Sequence, residues 1–356
     1  MVLVSQDKGK SFRLLTSFQE KVTVDQPTVV TGDDKSDPAA TDAGAVWVVW
    51  NMGVPQGESG VWIDQMVARG APVRGTGDIK PFNNLQNVTG TDNCNLGDVA
   101  LGPEGAVVLA CQVPDGDGDK GPATIRVSTD PDGLGDKPFG DAVPVVKTNV
   151  GALEVIPAVN GTHLDAEAGL AFEKKAGPNF GWLYLVYTEQ TPPGTADLDV
   201  MIKVYDGAKW SEPKRVNDDR PGKSQFLPRI AIDPTSGNIS VCWYDTRDSD
   251  YKNDSMQVFC TVSPPGETLQ FLQNARIGDS LSTSGGIDPG YGDYSGLAYG
   301  NGVAHPIWVQ RFPGHVQQSA FEVMTDRVSV GATPTSTPTR KPTQRPTPRP
   351  PRGGGG

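Results

Sequence analysis

Asp115, Asp117 and Asp119 alternate with glycines in Asp115-Gly116-Asp117-Gly118-Asp119-Lys120-Gly121. Carboxylates at every second position can offer hard oxygen ligands to a structural calcium ion, and the same run can equally be a solvated acidic turn. An EF-hand loop would place glycine at its sixth position, where this chain has Lys120, and a bidentate Glu where it has Arg126. His163, His305 and His315 are scattered and give no zinc signature, so no cofactor is required. The four cysteines form two near pairs, Cys94 with Cys111 and Cys242 with Cys260, each straddling a predicted turn. Residues so placed face each other across antiparallel strands, which predicts two disulfides; four buried free thiols are the alternative. Each bridge would close a loop of roughly 18 residues and contribute about 3 kcal/mol in the chain-entropy picture.

The elements that must carry these residues are hairpins. Phe226 to Arg247 reads FLPRIAIDPTSGNISVCWYDTR: Arg229 to Asp233 forms one strand, Pro234 to Asn238 supplies turn residues, and Ile239 to Tyr244 forms the next. The same form occurs at Gly97 to Cys111, at Ala168 to Tyr187, at Pro27 to Trp50 with a longer turn, and at Gly292 to Trp308. In the last copy Tyr299-Gly300-Asn301-Gly302 is a strong hairpin turn. Small sheets repeating every ~45 to 75 residues need neighbours to bury their faces, which fits propeller blades better than a sandwich. The chain is therefore expected to be all-β, a propeller over residues 1–330, with five fuller blades from about Val22 onward.

Ser5-Gln6-Asp7-Lys8-Gly9-Lys10-Ser11-Phe12 has the form S-x-D-x-G-x-x-F, in which Asp and Gly fold a tight turn and an aromatic packs beneath it. Degenerate versions follow at Ser128-Thr129-Asp130 with Gly133 and Phe139, at Asp206-Gly207 with Trp210, and at Ser263 with Gly266 and Phe271. The octet resembles the Asp-box of the BNR-repeat, exo-α-sialidase-type propellers. The Phe226 to Arg247 hairpin and Gly292-Asp293-Tyr294-Ser295-Gly296-Leu297 leading to Trp308 extend the resemblance over roughly residues 1–330. It implies about six blades, the first incomplete because the chain begins inside such a motif. Either a segment upstream of Met1 belongs to that blade, or Met1 to Leu15 closes the last blade against Ala320 to Val330.

For chemistry the resemblance implies a retaining glycosidase that removes terminal sialic-acid-type sugars. Tyr294 corresponds to the family's nucleophile and Glu167 to its partner, while Arg229 and Arg247 would grip the substrate carboxylate beside Asp293. The alternative for Arg247, which is flanked by Asp245 and Asp248, is an ion pair at the rim. A neutral phenol can approach an anomeric centre that bears a carboxylate without the repulsion an anionic nucleophile meets, and arginine forks match carboxylates bidentately. The family's Phe-Arg-Ile-Pro motif, source of its first arginine, is absent from this chain, as is a nearby acid/base Asp. The alternative is a propeller that binds a glycan or a protein without catalysis, with Tyr294 packing between blades.

The net charge is −11, and without the five cations of the tail (Arg340, Lys341, Arg345, Arg349, Arg352) the rest stands at about −16. Such a surface excludes nucleic acid as a natural partner. From Gly331 the chain is Pro/Thr-rich and basic, an extended spacer to a further module or surface. No signal peptide and no membrane span is present, whereas the cysteine pairs and the sequons at Asn87, Asn160, Asn238 and Asn253 point to a secreted or cell-surface protein.

Overall fold

The computed structural model describes residues 1–18, 24–37, 43–55, 62–116, 120–159, 163–266, 268–278, 281–283, 294–311 and 321–329. Hairpin follows hairpin, so each group of strands forms an antiparallel meander. Blade 1 is β3 (Val24–Asp33), β4 (Gly44–Pro55), β5 (Trp62–Val73) and β6 (Gln86–Asn87). Blade 2 is β7 (Asn95–Leu101), β8 (Val107–Pro114), β9 (Ala123–Asp130) and β10 (Val143–Thr148). Blade 3 is β11 (Gly169–Phe172), β12 (Leu183–Gln190), β13 (Leu198–Tyr205) and β14 (Lys214–Arg215). Blade 4 is β15 (Gln225–Ile232), β16 (Ile239–Asp245), β17 (Gln257–Ser263) and β18 (Ala275–Arg276). Blade 5 is β19 (Gly296–Gly300), β20 (Val303–Arg311) and β21 (Phe321–Thr325), with β22 (Val328–Ser329) returning to pair with β20. The first strands pack in succession, β3 on β7, β7 on β11, β11 on β15 and β15 on β19. Among the described residues the molecule is a β-propeller of five four-stranded blades, which corrects the expected six.

The sixth sheet has two strands, β1 (Val2–Val4) and β2 (Arg13–Thr16), paired with each other around the Ser5–Phe12 octet. They do not pair with residues 321–329 among the described residues, so the expected closure of the last blade by the N-terminus is not what forms. Asp7 shapes the octet, its carboxylate accepting from the Ser11 N–H at 2.9 Å and the Ser11 hydroxyl at 2.6 Å. Phe12 is exposed rather than packed beneath the turn. Its counterpart in blade 2 does pack: Phe139 is buried edge-on against Trp47 of blade 1.

The core lies between blades. Trp47, Val49 and Met66 of blade 1 meet Val99, Leu101 and Leu109 of blade 2, and Tyr184 and Val186 of blade 3 meet Ile230, Val241 and Trp243 of blade 4. A second strand is therefore covered on both faces, and β16 is buried at every position. Both cysteine pairs are disulfides, with Cα separations of 5.6 Å for Cys94–Cys111 and 4.1 Å for Cys242–Cys260. Cys242 and Cys260 are directly opposed on β16 and β17. No helix among the described residues is long and apolar enough to cross a membrane.

Candidate functional site

Where the first strands begin, at one end of the propeller, four residues other than glycine have left-handed backbone: Gln26 (φ 50°), Leu96 (φ 58°), Glu167 (φ 46°) and Leu227 (φ 51°). Each stands two residues before a position on its blade's first strand, namely Thr28, Asp98, Gly169 and Arg229. In blades 1, 2 and 4 the pairing register shifts at this point, between Asp25 and Thr28, Asn95 and Asp98, and Phe226 and Arg229. A bulge of this kind re-aims a side chain, and left-handed backbone at such residues costs about 1 kcal/mol or more each. The same device recurs in blade after blade, which marks these positions as a set.

The set is wired from blade to blade. The Thr28 hydroxyl donates to the Gly97 carbonyl at 3.2 Å, and the Leu170 N–H donates to the Asp98 carboxylate at 2.7 Å. Arg229 forms an ion pair with Glu167 and donates through Nε to the Ser295 carbonyl at 3.0 Å and to the Ser295 hydroxyl at 3.1 Å. The Tyr294 hydroxyl reaches Asp25 at 3.4 Å, joining blade 5 back to blade 1. A polar chain thus runs round all five blades.

Electrostatics single out Asp98. Burial pushes its pKa up, and the Leu170 N–H and the charge of Arg229 offset only part of that rise. Burial works against the Arg229 charge too, but Glu167, Asp98 and Asp165 together raise its pKa. Asp165 also accepts the Glu167 N–H, which holds the strained backbone in place. The neighbouring Ala166 N–H goes to the Gln112 side chain at 3.0 Å. The arrangement sets a carboxyl biased towards its protonated form beside a carboxylate paired with arginine. Groups whose environments drive their protonation apart suit acid and base roles.

Of the residues read from the sequence, Glu167, Arg229 and Tyr294 come together on this chain of contacts. Tyr294 is 58 % exposed, and its hydroxyl meets Asp25. Arg247 belongs to another network: it is ion-paired with Asp245 at 2.8 Å and Asp218 at 2.7 Å, and its guanidinium lies 4.3 Å over the Phe259 ring. Asp293, Asp117 and Asp119 lie outside the described residues. Asp115 accepts from the Thr124 hydroxyl at 2.7 Å and the Lys147 ammonium at 3.0 Å, and no metal-binding cluster of three occurs among the described residues. Asp25, Asp98 and Asp165 were missed. No sequence signal marked Asp98, which becomes comparable to Arg229 only once Leu96 and Leu227 are seen to share left-handed backbone.

No protein-family model matches the chain, and no curated protein matches it. Solved structures do. The GH93 α-L-arabinofuranosidase of Fusarium graminearum, in complex with arabinobiose, is similar over 83 % of this chain and 79 % of that chain, at 14 % identity and a TM-score of 0.49. The Hadza microbial sialidase Hz136 is similar over 80 % of this chain and 55 % of that chain, at 13 % identity and a TM-score of 0.38. An endo-arabinase from Bacteroides thetaiotaomicron is similar over 79 % and 90 %, at 11 % identity and a TM-score of 0.37. Likeness at this level concerns the fold alone. Fold and geometry together define a five-bladed β-propeller with a polar site at the start of its first strands.

Proposed function

We propose that the chain is a glycoside hydrolase acting on a neutral glycan, with Asp98 as proton donor and Glu167, paired with Arg229, as the opposing carboxylate. The observation that carries this reading is Asp98, a carboxyl whose pKa is raised by burial next to the Glu167–Arg229 pair. A glycosidic oxygen must be protonated as its bond breaks, which calls for a carboxyl still protonated near neutral pH; a second carboxylate then stabilises or attacks the sugar, or activates a water. Asp25, Asp165 and Glu167 outnumber Arg229 even with Asp98 protonated, so the site repels an anionic sugar and favours an uncharged one. Secretion fits both disulfides, which form and persist in oxidising compartments.

A second reading retains the sialidase chemistry implied by the sequence motifs, with the Tyr294 hydroxyl as nucleophile. Its supporting observation is the exposed phenol beside Asp25, which would replace Glu167 as the base. Arg229 and Arg247 both have carboxylate partners within the protein, which weighs against their gripping a substrate carboxylate. A panel of neutral 4-nitrophenyl glycosides and a fluorogenic sialoside, assayed with the parent, Asp98→Asn and Tyr294→Phe, separates the two. Turnover of a neutral glycoside, lost in Asp98→Asn and kept in Tyr294→Phe, is expected. Sialoside turnover lost in Tyr294→Phe would establish the second reading, and a parent inactive on the whole panel would leave a glycan- or protein-binding propeller.

A further inference from the structure

Between Val107 and Val113 β8 is apolar except at Gln112, and Gln112 is fully buried. An aliphatic side chain would fill that space as well, so packing alone does not call for an amide. Its Oε1 accepts the Ala166 N–H at 3.0 Å, and its Nε2 donates to the Val150 carbonyl at 3.2 Å. Both partners lie on the connector from β10 to β11, and both are buried, so solvent does not replace either bond. The Ala166 carbonyl in turn accepts the Thr188 N–H at 2.7 Å. The residue before Glu167 is thereby tied to the second strand of blade 2 at its N–H and to the second strand of blade 3 at its carbonyl. Glu167 follows with its N–H on Asp165 and its backbone left-handed.

The same strand frames Asp98. Asn95 stands opposite Gln112 and Asp98 opposite Ala110, so Leu96 and Gly97 together face Cys111 and form the bulge that aims Asp98. Gln112 therefore has its backbone beside the support of Asp98 and its side chain on the support of Glu167.

We propose that Gln112 is a positioning residue that fixes the Glu167 carboxylate relative to the Asp98 carboxyl. This rests on the reading of those two groups as the acting carboxyls of a glycoside hydrolase. Gln112 acts through Ala166 rather than on the substrate. Displacement of a reacting group by about 1 Å can cost on the order of 10²-fold in rate. A buried amide bonded at both ends restrains the connector against such a shift.

Gln112→Met keeps the length and apolar stem of the side chain and removes both bonds. Its kcat is expected to fall about 10- to 100-fold with KM within about twofold of the parent. Hydrogen exchange at the Ala166 and Glu167 amides should quicken about tenfold or more. Gln112→Glu supplies the second variant should Gln112→Met fail to fold. Burial favours its protonated form, which offers an acceptor to Ala166 and a donor to Val150, so its kcat relative to the parent at the same pH should recover as the pH is lowered. Thr148→Val is the control for general loosening. It removes the 2.7 Å bond from the Thr148 hydroxyl to the Thr188 carbonyl, another buried tie beside the same connector, and should keep kcat. Unchanged kcat or unchanged exchange in Gln112→Met, no recovery of Gln112→Glu in acid, or an equal loss of kcat in Thr148→Val would overturn the proposal. A parent that turns over no glycoside would instead overturn the proposed function, and exchange at Ala166 and Glu167 would then decide alone whether Gln112 holds the segment.

Discussion

Asp130 and Asp233 are both buried carboxylates in turns, and their surroundings drive them in opposite directions. Burial raises the Asp130 pKa to about 6, although its Oδ1 accepts the Asp132 and Gly133 N–H groups. Its Oδ2 is buried without a hydrogen-bond donor. A raised pKa means that the folded state holds this proton more tightly than the unfolded chain. The resulting stability is full below the ordinary value of 3.8 and is lost as pH rises through about 6. Asp130→Asn, which mimics the protonated form, should therefore leave the melting temperature unchanged near pH 4 and raise it by a few degrees at pH 7.5. Thermal unfolding of both proteins across that range checks this, and an equal shift at the two pH values would contradict it. The site belongs to the same logic. Tyr294 and Arg229 were singled out in the sequence because they sit in short motifs, whereas Asp98 lies in an ordinary-looking strand and acquires its character only when Arg229 and Leu170 arrive from other blades.

At the scale of elements, turns join blades as well as strands. Asp233, at the end of β15, accepts the Thr235 N–H at 2.9 Å and its hydroxyl at 2.7 Å, and on blade 5 the N–H groups of Asn301 at 3.2 Å and Gly302 at 2.7 Å. Burial alone would raise its pKa, but these donors hold it well below the usual carboxylate range. A depressed pKa gives stability that is present above 3.8 and lost as pH falls towards the folded-state value. Asp233→Ala should cost roughly 2–4 kcal/mol at pH 7, because buried N–H groups lose their acceptor, and the deficit should shrink in acid. Denaturant unfolding at pH 7 and pH 3 measures both, and a deficit that grows in acid would contradict the assignment. The Asn301-Gly302 turn itself was legible: φ is 52° and 75°, as a two-residue hairpin of primed type requires. The bulges were not, because Leu96 and Leu227 carry no residue preference for left-handed backbone. Leu227 is held there by packing in the core between blades.

Over the whole molecule, the hairpin repeat was readable from turn residues and strand period, and both disulfides from cysteine spacing. The number of blades was not, since the octet at Ser5–Phe12 has the local chemistry of a full blade but joins only two strands. The ion pair of Arg247 with Asp245 was readable from their nearness in sequence, but its partner Asp218, from the segment between blades 3 and 4, was not. The candidate site is likewise a property of the ring, with Asp25, Asp98, Glu167, Arg229 and Tyr294 coming from five different blade starts. The claim that this ring makes Asp98 a proton donor is tested most directly by two glycosides of the same sugar, one with a poor leaving group and one with a dinitrophenolate. For the poor leaving group, kcat/KM of Asp98→Asn should fall on the order of 10²–10⁴-fold below the parent, because protonation of the departing oxygen is lost. For the dinitrophenolate, which needs no proton, the fall should be far smaller. Equal losses on both substrates, or none on either, would contradict the account.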